Sequence, residues 1–162
     1  MVFKYCPACG ERLSSRVIGQ EGAVPFCPGC KRPWFPLFPS AVCVLGVNSR
    51  GEALFARQER IPGLCLISGF IKPGETAEET ALREWREETG LSLSRLRSVG
   101  THWYARDGVL MHLFTGDTQD GPVHPSEELL DAFFLPIPDA LPRIDPSSTG
   151  VLALIRAVSE PG

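Results

Sequence analysis

The sequence predicts an α+β fold, a mixed sheet flanked by helices, with a small cysteine-bound module ahead of it. Three observations carry this. Two C-x2-C pairs, Cys6-Pro7-Ala8-Cys9 and Cys27-Pro28-Gly29-Cys30, lie near the N-terminus. From Ser40 onward, short apolar runs alternate with turn-forming residues, the pattern of buried strands. One long stretch, from Thr76 to Gly90, has helical periodicity with capping residues at both ends. Strands mixed with a few helices give an α+β or mixed-sheet arrangement.

The cysteine pairs come first. The spacing C-x2-C-x17-C-x2-C falls within the zinc-ribbon pattern. Each pair can form a tight knuckle, with Gly10 and Gly29 allowing the turns. Cys6, Cys9, Cys27 and Cys30 would close a tetrahedral zinc site with no open position, the mark of a structural metal. Two disulfides or a redox pair are the alternatives. A cytosolic chain disfavours the first, and no βαβ pattern surrounds the motifs to support the second. Residues 1–35 are too few to bury a stable core alone, so a metal is a reasonable substitute. Pro33, Pro36 and Pro39 then make a stiff, extended connection. Its aromatics, Trp34, Phe35 and Phe38, are too apolar for a free linker and are expected to pack on both modules. The boundary is placed between a ribbon with its connection, 1–38, and a larger domain, 39–162.

In that domain, Ala41 to Val47 reads as a buried strand, Asn48-Ser49-Arg50-Gly51 as a turn, and Ala53 to Ala56 as a second strand. Ile61-Pro62-Gly63 breaks the chain, and Leu64 to Ile67 leads into the glycine-bounded stretch that begins at Gly69. Leu96 to Tyr104 and Val109 to Thr115 read as a hairpin around Arg106-Asp107-Gly108. Ala132 to Leu135 is a last strand, and Asp145-Pro146-Ser147 opens a C-terminal helix through Val158. Cys43 and Cys65 lie in apolar runs and read as small core residues.

The chain of 162 residues is 43% hydrophobic with a formal net charge of -3. That excludes a basic excess for bulk nucleic-acid binding. Met1 to Cys6 lacks the apolar stretch of a signal peptide, and no run approaches the roughly 20 apolar residues that cross a bilayer. The expected setting is cytoplasmic, without a membrane partner.

The chemistry concentrates between Gly69 and Leu91, GFIKPGETAEETALREWREETGL. Thr76 and Glu79 have the spacing of a capping box, and Gly90 sits where a left-handed residue ends a helix. Ala77, Ala81, Leu82 and Trp85 share one face, expected to pack on the core. Glu84, Glu87 and Glu88 share an adjoining arc. Three carboxylates at the negative end of a helix dipole are unfavourable. A divalent cation such as Mg²⁺ or Mn²⁺ would relieve them; a solvated acidic face is the alternative.

Gly69, Glu75 and Arg83-Glu84-Trp85-Arg86-Glu87-Glu88-Thr89-Gly90-Leu91 match the pattern G-x5-E-x7-R-E-U-x-E-E-x-G-U, where U is a bulky aliphatic. Only Trp85, at the first U, departs from it. The segment resembles the Nudix box, and the resemblance implies a mixed sheet between helices and hydrolysis of a nucleoside diphosphate linked to another group. It also implies that Glu84, Glu87 and Glu88 hold Mg²⁺ or Mn²⁺ together with a backbone carbonyl from Ser68-Gly69. Arg83 is placed to hold Glu87 or to meet a phosphate, and Glu75 to support the loop. Nudix hydrolases draw a general base from the box or from a later loop. Here Glu128 is favoured over Glu127, because Glu128-Leu129-Leu130-Asp131-Ala132 resembles the segment that supplies a late glutamate in NADH pyrophosphatases. A ribbon followed by this domain resembles that subgroup, which also acts on NAD-like caps of RNA. Its motif S-Q-P-W-P-F-P-x-S is absent; residues 101–108, THWYARDG, stand in its place.

Phe70, Trp103 and Tyr104 are the aromatics expected to hold the substrate base. NADH, ADP-ribose and dinucleoside polyphosphates are the candidate substrates, capped RNA a further one, and a homodimer is compatible with the sequence. His102, His112 and His124 read as packing or surface residues, His102 lying nearest the site. Two other function classes stay open: a Nudix-fold sensor that binds a nucleotide without turnover, and an RNA- or protein-binding module centred on the ribbon, with Lys31 and Arg32 beside Trp34.

Overall fold

A computed structural model describes residues 3–159. Met1 and Val2, on which the reading of the N-terminus partly rests, lie outside the described residues. The chain divides into two compact units, 1–38 and 39–162.

The first unit is a three-stranded antiparallel sheet of β1 (Ser14–Val17), β2 (Ala23–Cys27) and β3 (Arg32–Pro33). Gly10, at φ +75°, turns the first cysteine knuckle. In the second knuckle the left-handed residue is Lys31, at φ 54°, in the position equivalent to Gly10. Gly29 was expected to allow that turn; its role is different, since a Cβ there would collide with the Glu11 carboxylate. Trp34 packs edge-on against Phe3, ring centroids 5.9 Å apart, and the Arg32 guanidinium lies 4.3 Å above its ring. Phe35, Leu37 and Phe38 remain about half exposed, at 46, 58 and 52%. The connection is therefore less buried than its composition suggests.

The second unit is a seven-stranded mixed sheet. Its strands are β4 (Ser40–Val47), β5 (Ala53–Gln58), β6 (Ile61–Cys65), β7 (Ile67–Phe70), β8 (Leu93–Tyr104), β9 (Val109–Thr118) and β10 (Asp131–Leu135). The order is β10-β5-β4-β9-β8, with β6 on β5 and β7 on β4; only β4 and β9 are parallel. Ile61-Pro62-Gly63 does not break the chain, as the sequence suggests, but begins β6. The register slips between Gln58 and Ala56, and a bulge absorbs the irregular residues. Gly63, at φ +75°, then bridges to Ile144 and leaves no space for a Cβ beside the Arg143 carbonyl.

Successive side chains of β4 point to opposite faces, and both faces are buried. Val42 and Val44 join Leu54, Ile67, Ala81, Trp85 and Phe114 in one core, under α1 (Ala77–Thr89). Cys43 and Leu45 join Phe55, Leu64, Leu66 and Leu113 in a second, with Leu154 and Ile155 of α3 (Thr149–Ser159). A short α2 (Ile137–Ala140) lies between β10 and α3. Asp145 forms a turn with Ser147, so α3 starts later than that motif implies. Burial pushes Cys43 up to about 12 and Cys65 up to about 11, as suits inert core thiols.

Both caps of α1 are formed. The Glu79 amide donates to Thr76 Oγ1 at 3.1 Å, and the Thr76 amide to Glu79 Oε2 at 2.8 Å. Gly90, at φ 72°, closes the helix and donates to the Arg86 carbonyl. Ala81 and Trp85 are fully buried, whereas Leu82 is 43% exposed and is not part of the packed face. Gly46 in β4 makes room for Trp85, whose indole occupies the space of a Cβ.

Candidate active site

The β4–β7 pairing brings the start of α1 against the sheet. Gly69 pairs with Val42, and the space where its Cβ would stand holds the Glu84 carboxylate. The glycine makes room for that close approach; its φ does not call for one. Arg83 organises the adjoining charges. Its Nε and NH2 clamp both oxygens of Glu75, at 2.7 and 2.9 Å. Its NH1 donates to Glu84 at 2.6 Å and to Glu87 at 3.0 Å. The Arg83 guanidinium, helped by Thr80 and the Lys72 amide, holds Glu75 down at about 2. Glu75 thus ties the loop to the helix, as its place in the sequence suggests.

Glu88 is different. It is 4% exposed, and its Oε2 is buried with no hydrogen-bond partner. Burial, and then the charges of Glu84, Glu128 and Glu87, push its carboxyl up to about 8. Glu128 reaches it from the segment before β10. The chain there is fastened to the end of α1: the His124 amide donates to the Thr89 carbonyl at 2.9 Å, and the Ser126 amide to the Glu88 carbonyl at 3.2 Å. These bonds satisfy carbonyls that a helix end leaves open. Sequence reasoning missed the tether, because backbone amides leave no side-chain signature.

These groups open on a cavity of about 700 Å³. Glu84, Glu87, Glu88 and Glu128 line it, with Arg83, Ser68 and Gly69, while Glu127 does not. Phe70, Ala41, Met111, Val109, Tyr104 and Val151 form an apolar wall. Ala41 pairs with Phe70 and Met111, and Tyr104 with Val109, so the register sets these side chains on one face. Trp103, one residue away, points to the opposite face and is not among the lining residues. His102 pairs with Met111 on the same face as Tyr104, but its Nε2 is engaged 2.9 Å from Thr149 Oγ1; like His112 and His124, it does not line the cavity. Ala41, Met111 and Val151 were missed as site residues because in sequence they read as core.

The carboxylate set suits a hard divalent cation: an orphaned buried oxygen faced by three further carboxylates is what such an ion satisfies. Arg83 NH1 holds one oxygen each of Glu84 and Glu87. Among the described residues, only Cys6, Cys9, Cys27 and Cys30 place all their ligand atoms within 4.8 Å of one another. The Cys9–Cys27 and Cys6–Cys30 sulfurs are 3.5 and 3.8 Å apart. Tetrahedral zinc with bonds of about 2.3 Å separates its sulfurs by about 3.8 Å, whereas a disulfide needs about 2.05 Å. The donor set fits zinc. Burial opposes ionisation of Cys6, but the Ala8 and Cys9 amides bring it to about 6, while contacts with Cys9 and Cys27 push Cys30 up to about 12. Four close thiols resist joint ionisation unless a cation sits among them.

The model of the NUDIX domain matches residues 37–155. The chain belongs to the NUDIX family. The NAD-capped RNA hydrolase NudC of Vibrio vulnificus is 30% identical over 160 residues, covering 95% of this chain and 58% of that protein. The protein of the same name from Pectobacterium atrosepticum is 31% identical over 157 residues, covering 94% and 58%. The chain thus spans a little over half the length of these curated relatives. A NUDIX hydrolase from Nitrosomonas europaea superposes with a TM-score of 0.70 at 20% identity, over 88% of this chain and 83% of that one. The NUDIX domain of Shewanella oneidensis NrtR, complexed with ADP ribose, gives 0.67 at 18% identity, over 83% and 92%. These likenesses establish the NUDIX fold, a mixed sheet between helices. No helix among the described residues is long and apolar enough to cross a membrane.

Proposed function

We propose that the chain hydrolyses the diphosphate linkage of a nucleoside diphosphate derivative, in a reaction dependent on Mg²⁺ or Mn²⁺. The observation that carries this is the buried, unpartnered Glu88 oxygen, faced by Glu84, Glu87 and Glu128 across a cavity large enough for a nucleotide. Bound there, a divalent cation would neutralise the diphosphate and make water a better nucleophile. Glu84, Glu87, Glu88 and Glu128 would hold it, with a carbonyl from Ser68 or Gly69.

The chain's own residues do the rest. Arg83 and Glu75 fix the loop and the carboxylates. Glu128, carried on the tethered segment, is the favoured general base. The apolar wall of Phe70 and Tyr104 holds the base, where stacking is worth about 1–3 kcal/mol. Trp103, from the opposite face of β8, has no such role in this reading. Cys6, Cys9, Cys27 and Cys30 hold a structural zinc.

The NudC relatives are named for NAD-capped RNA and the NrtR domain was crystallised with ADP ribose. NAD-type dinucleotides, ADP-ribose and capped RNA are therefore the first substrates to test, followed by dinucleoside polyphosphates. The test is turnover with Mg²⁺ or Mn²⁺, with products identified by mass. Glu84→Gln and Glu88→Gln should each lower kcat by about a hundredfold or more, in line with the loss of a group that stabilises charge in the transition state. Binding of these ligands without cleavage would instead make the chain a nucleotide sensor.

A further inference from the structure

The Arg83 guanidinium has five N–H groups, and all five are engaged. Nε and NH2 hold Glu75, NH2 also reaches the Phe70 carbonyl at 3.4 Å, and NH1 serves Glu84 and Glu87. The two halves of the fork differ. The Glu75 half ties loop to helix and faces a residue that does not line the cavity. The NH1 half holds two of the carboxylates proposed to take the metal. Among the described residues, Glu84, Glu87 and Glu88 do not bring three carboxylate oxygens within 4.8 Å of one another.

We propose that Arg83 NH1 is a resident counter-ion that competes with the divalent cation for Glu84 and Glu87, while Nε keeps its hold on Glu75. Arg83 is thereby a positioning residue with two states, and cation entry releases one half of its fork toward the cavity. The inference rests on the reading of Glu84 and Glu87 as cation ligands. The physical reason is Coulombic: a guanidinium and a divalent ion cannot both sit against the same carboxylates without repelling each other.

The experiment is direct binding of Mn²⁺ to the full chain by calorimetry and by electron spin resonance, without substrate. Arg83→Gln removes the competitor and should bind Mn²⁺ more tightly, by roughly tenfold given the charge removed. Glu75→Gln, which loosens only the clamp, should not tighten it. Equal or weaker binding by Arg83→Gln would overturn the competition and leave Arg83 a simple scaffold for the carboxylates. A second measurement uses the wild-type chain and so does not depend on the variant folding. On adding Mg²⁺, the nitrogen resonance of Arg83 NH1 should shift and its protons exchange faster, while Nε stays unchanged. An unmoved NH1, or equal movement of NH1 and Nε, would overturn the proposal. Failure of the wild-type chain to bind Mn²⁺ or Mg²⁺ saturably would overturn the metal site itself, and this inference with it.

Discussion

At the scale of single residues, Glu88 is the position where local stability has been given up. An ordinary carboxyl releases its proton near 4.5, and in the folded, metal-free chain Glu88 keeps it to about 8. Between those values the folded state binds a proton that the unfolded state has lost, so stability falls as pH rises through that window. The loss is complete above about 8. In buffer without Mg²⁺ or Mn²⁺, the melting temperature of the wild type should therefore decline between pH 5 and 8.5. Glu88→Gln should flatten that decline and melt higher than wild type at pH 8.5, even though its turnover should be lower. Parallel declines in both proteins, followed by calorimetry, would remove Glu88 from the account. The aromatics separate in the same way. Phe70→Ala and Tyr104→Ala should each lower kcat/KM by roughly 5- to 150-fold, the equivalent of a lost stacking contact. Trp103→Ala should leave kcat/KM within about twofold of wild type. A loss at Trp103 equal to that at Tyr104 would place the base elsewhere. The sequence could nominate all three aromatics, but the choice among them depended on strand register. Trp103 faces Leu110 and Tyr104 faces Val109, and a one-residue slip would have exchanged them.

At the scale of elements, α1 was the most legible part of the chain. Its capping box, its left-handed Gly90 and its buried Ala81 and Trp85 follow from spacing alone. Leu82 did not, because it stands one residue from the packed face and the core there is filled by Trp85. The segment that carries Glu128 was legible only through resemblance. It is positioned by the His124 amide on the Thr89 carbonyl and the Ser126 amide on the Glu88 carbonyl, bonds that any residue except proline could make. The bulged β5–β6 pairing was misread because Pro62 and Gly63 usually punctuate a strand. Where α1 meets β7, the contact is close enough to test. In Gly69→Ala the new methyl would occupy the place of the Glu84 carboxylate. That carboxylate ends a flexible side chain and can move, so the fold should survive with a melting temperature a few degrees lower at most. Its displacement should still lower kcat about tenfold or more, because misplaced catalytic groups are costly. A fully active Gly69→Ala would show that Glu84 need not sit there.

At the scale of the whole molecule, the two units rest on different kinds of stabilisation. The larger unit buries both faces of its sheet, with Trp85, Phe55 and Phe114 almost wholly inside. The smaller unit has only Cys6, Val24 and Cys27 as buried hydrophobic residues among those described, and a four-residue strand, β1, that is exposed throughout. So small a core cannot offset the entropy of ordering the chain, which for a segment this short exceeds what burial supplies. The sequence made this legible through the doubled cysteine pairs, whose spacing suits a metal-closed knuckle independently of any core. The thiols arrive in pairs from two knuckles, and their sulfurs converge within 4.8 Å. Binding one zinc would therefore be coupled to folding of the unit. Metal analysis after dialysis should find about one zinc per chain, since a closed four-thiolate site does not exchange freely. Cys27→Ser should lose it, and the amide resonances of residues 3–38 should then collapse into the narrow range of an unfolded segment. Cys43→Ser, which alters a buried thiol of the sheet, should keep both the zinc and those resonances. If the Cys27→Ser protein retained a dispersed spectrum for the first unit without metal, zinc would not be what holds it.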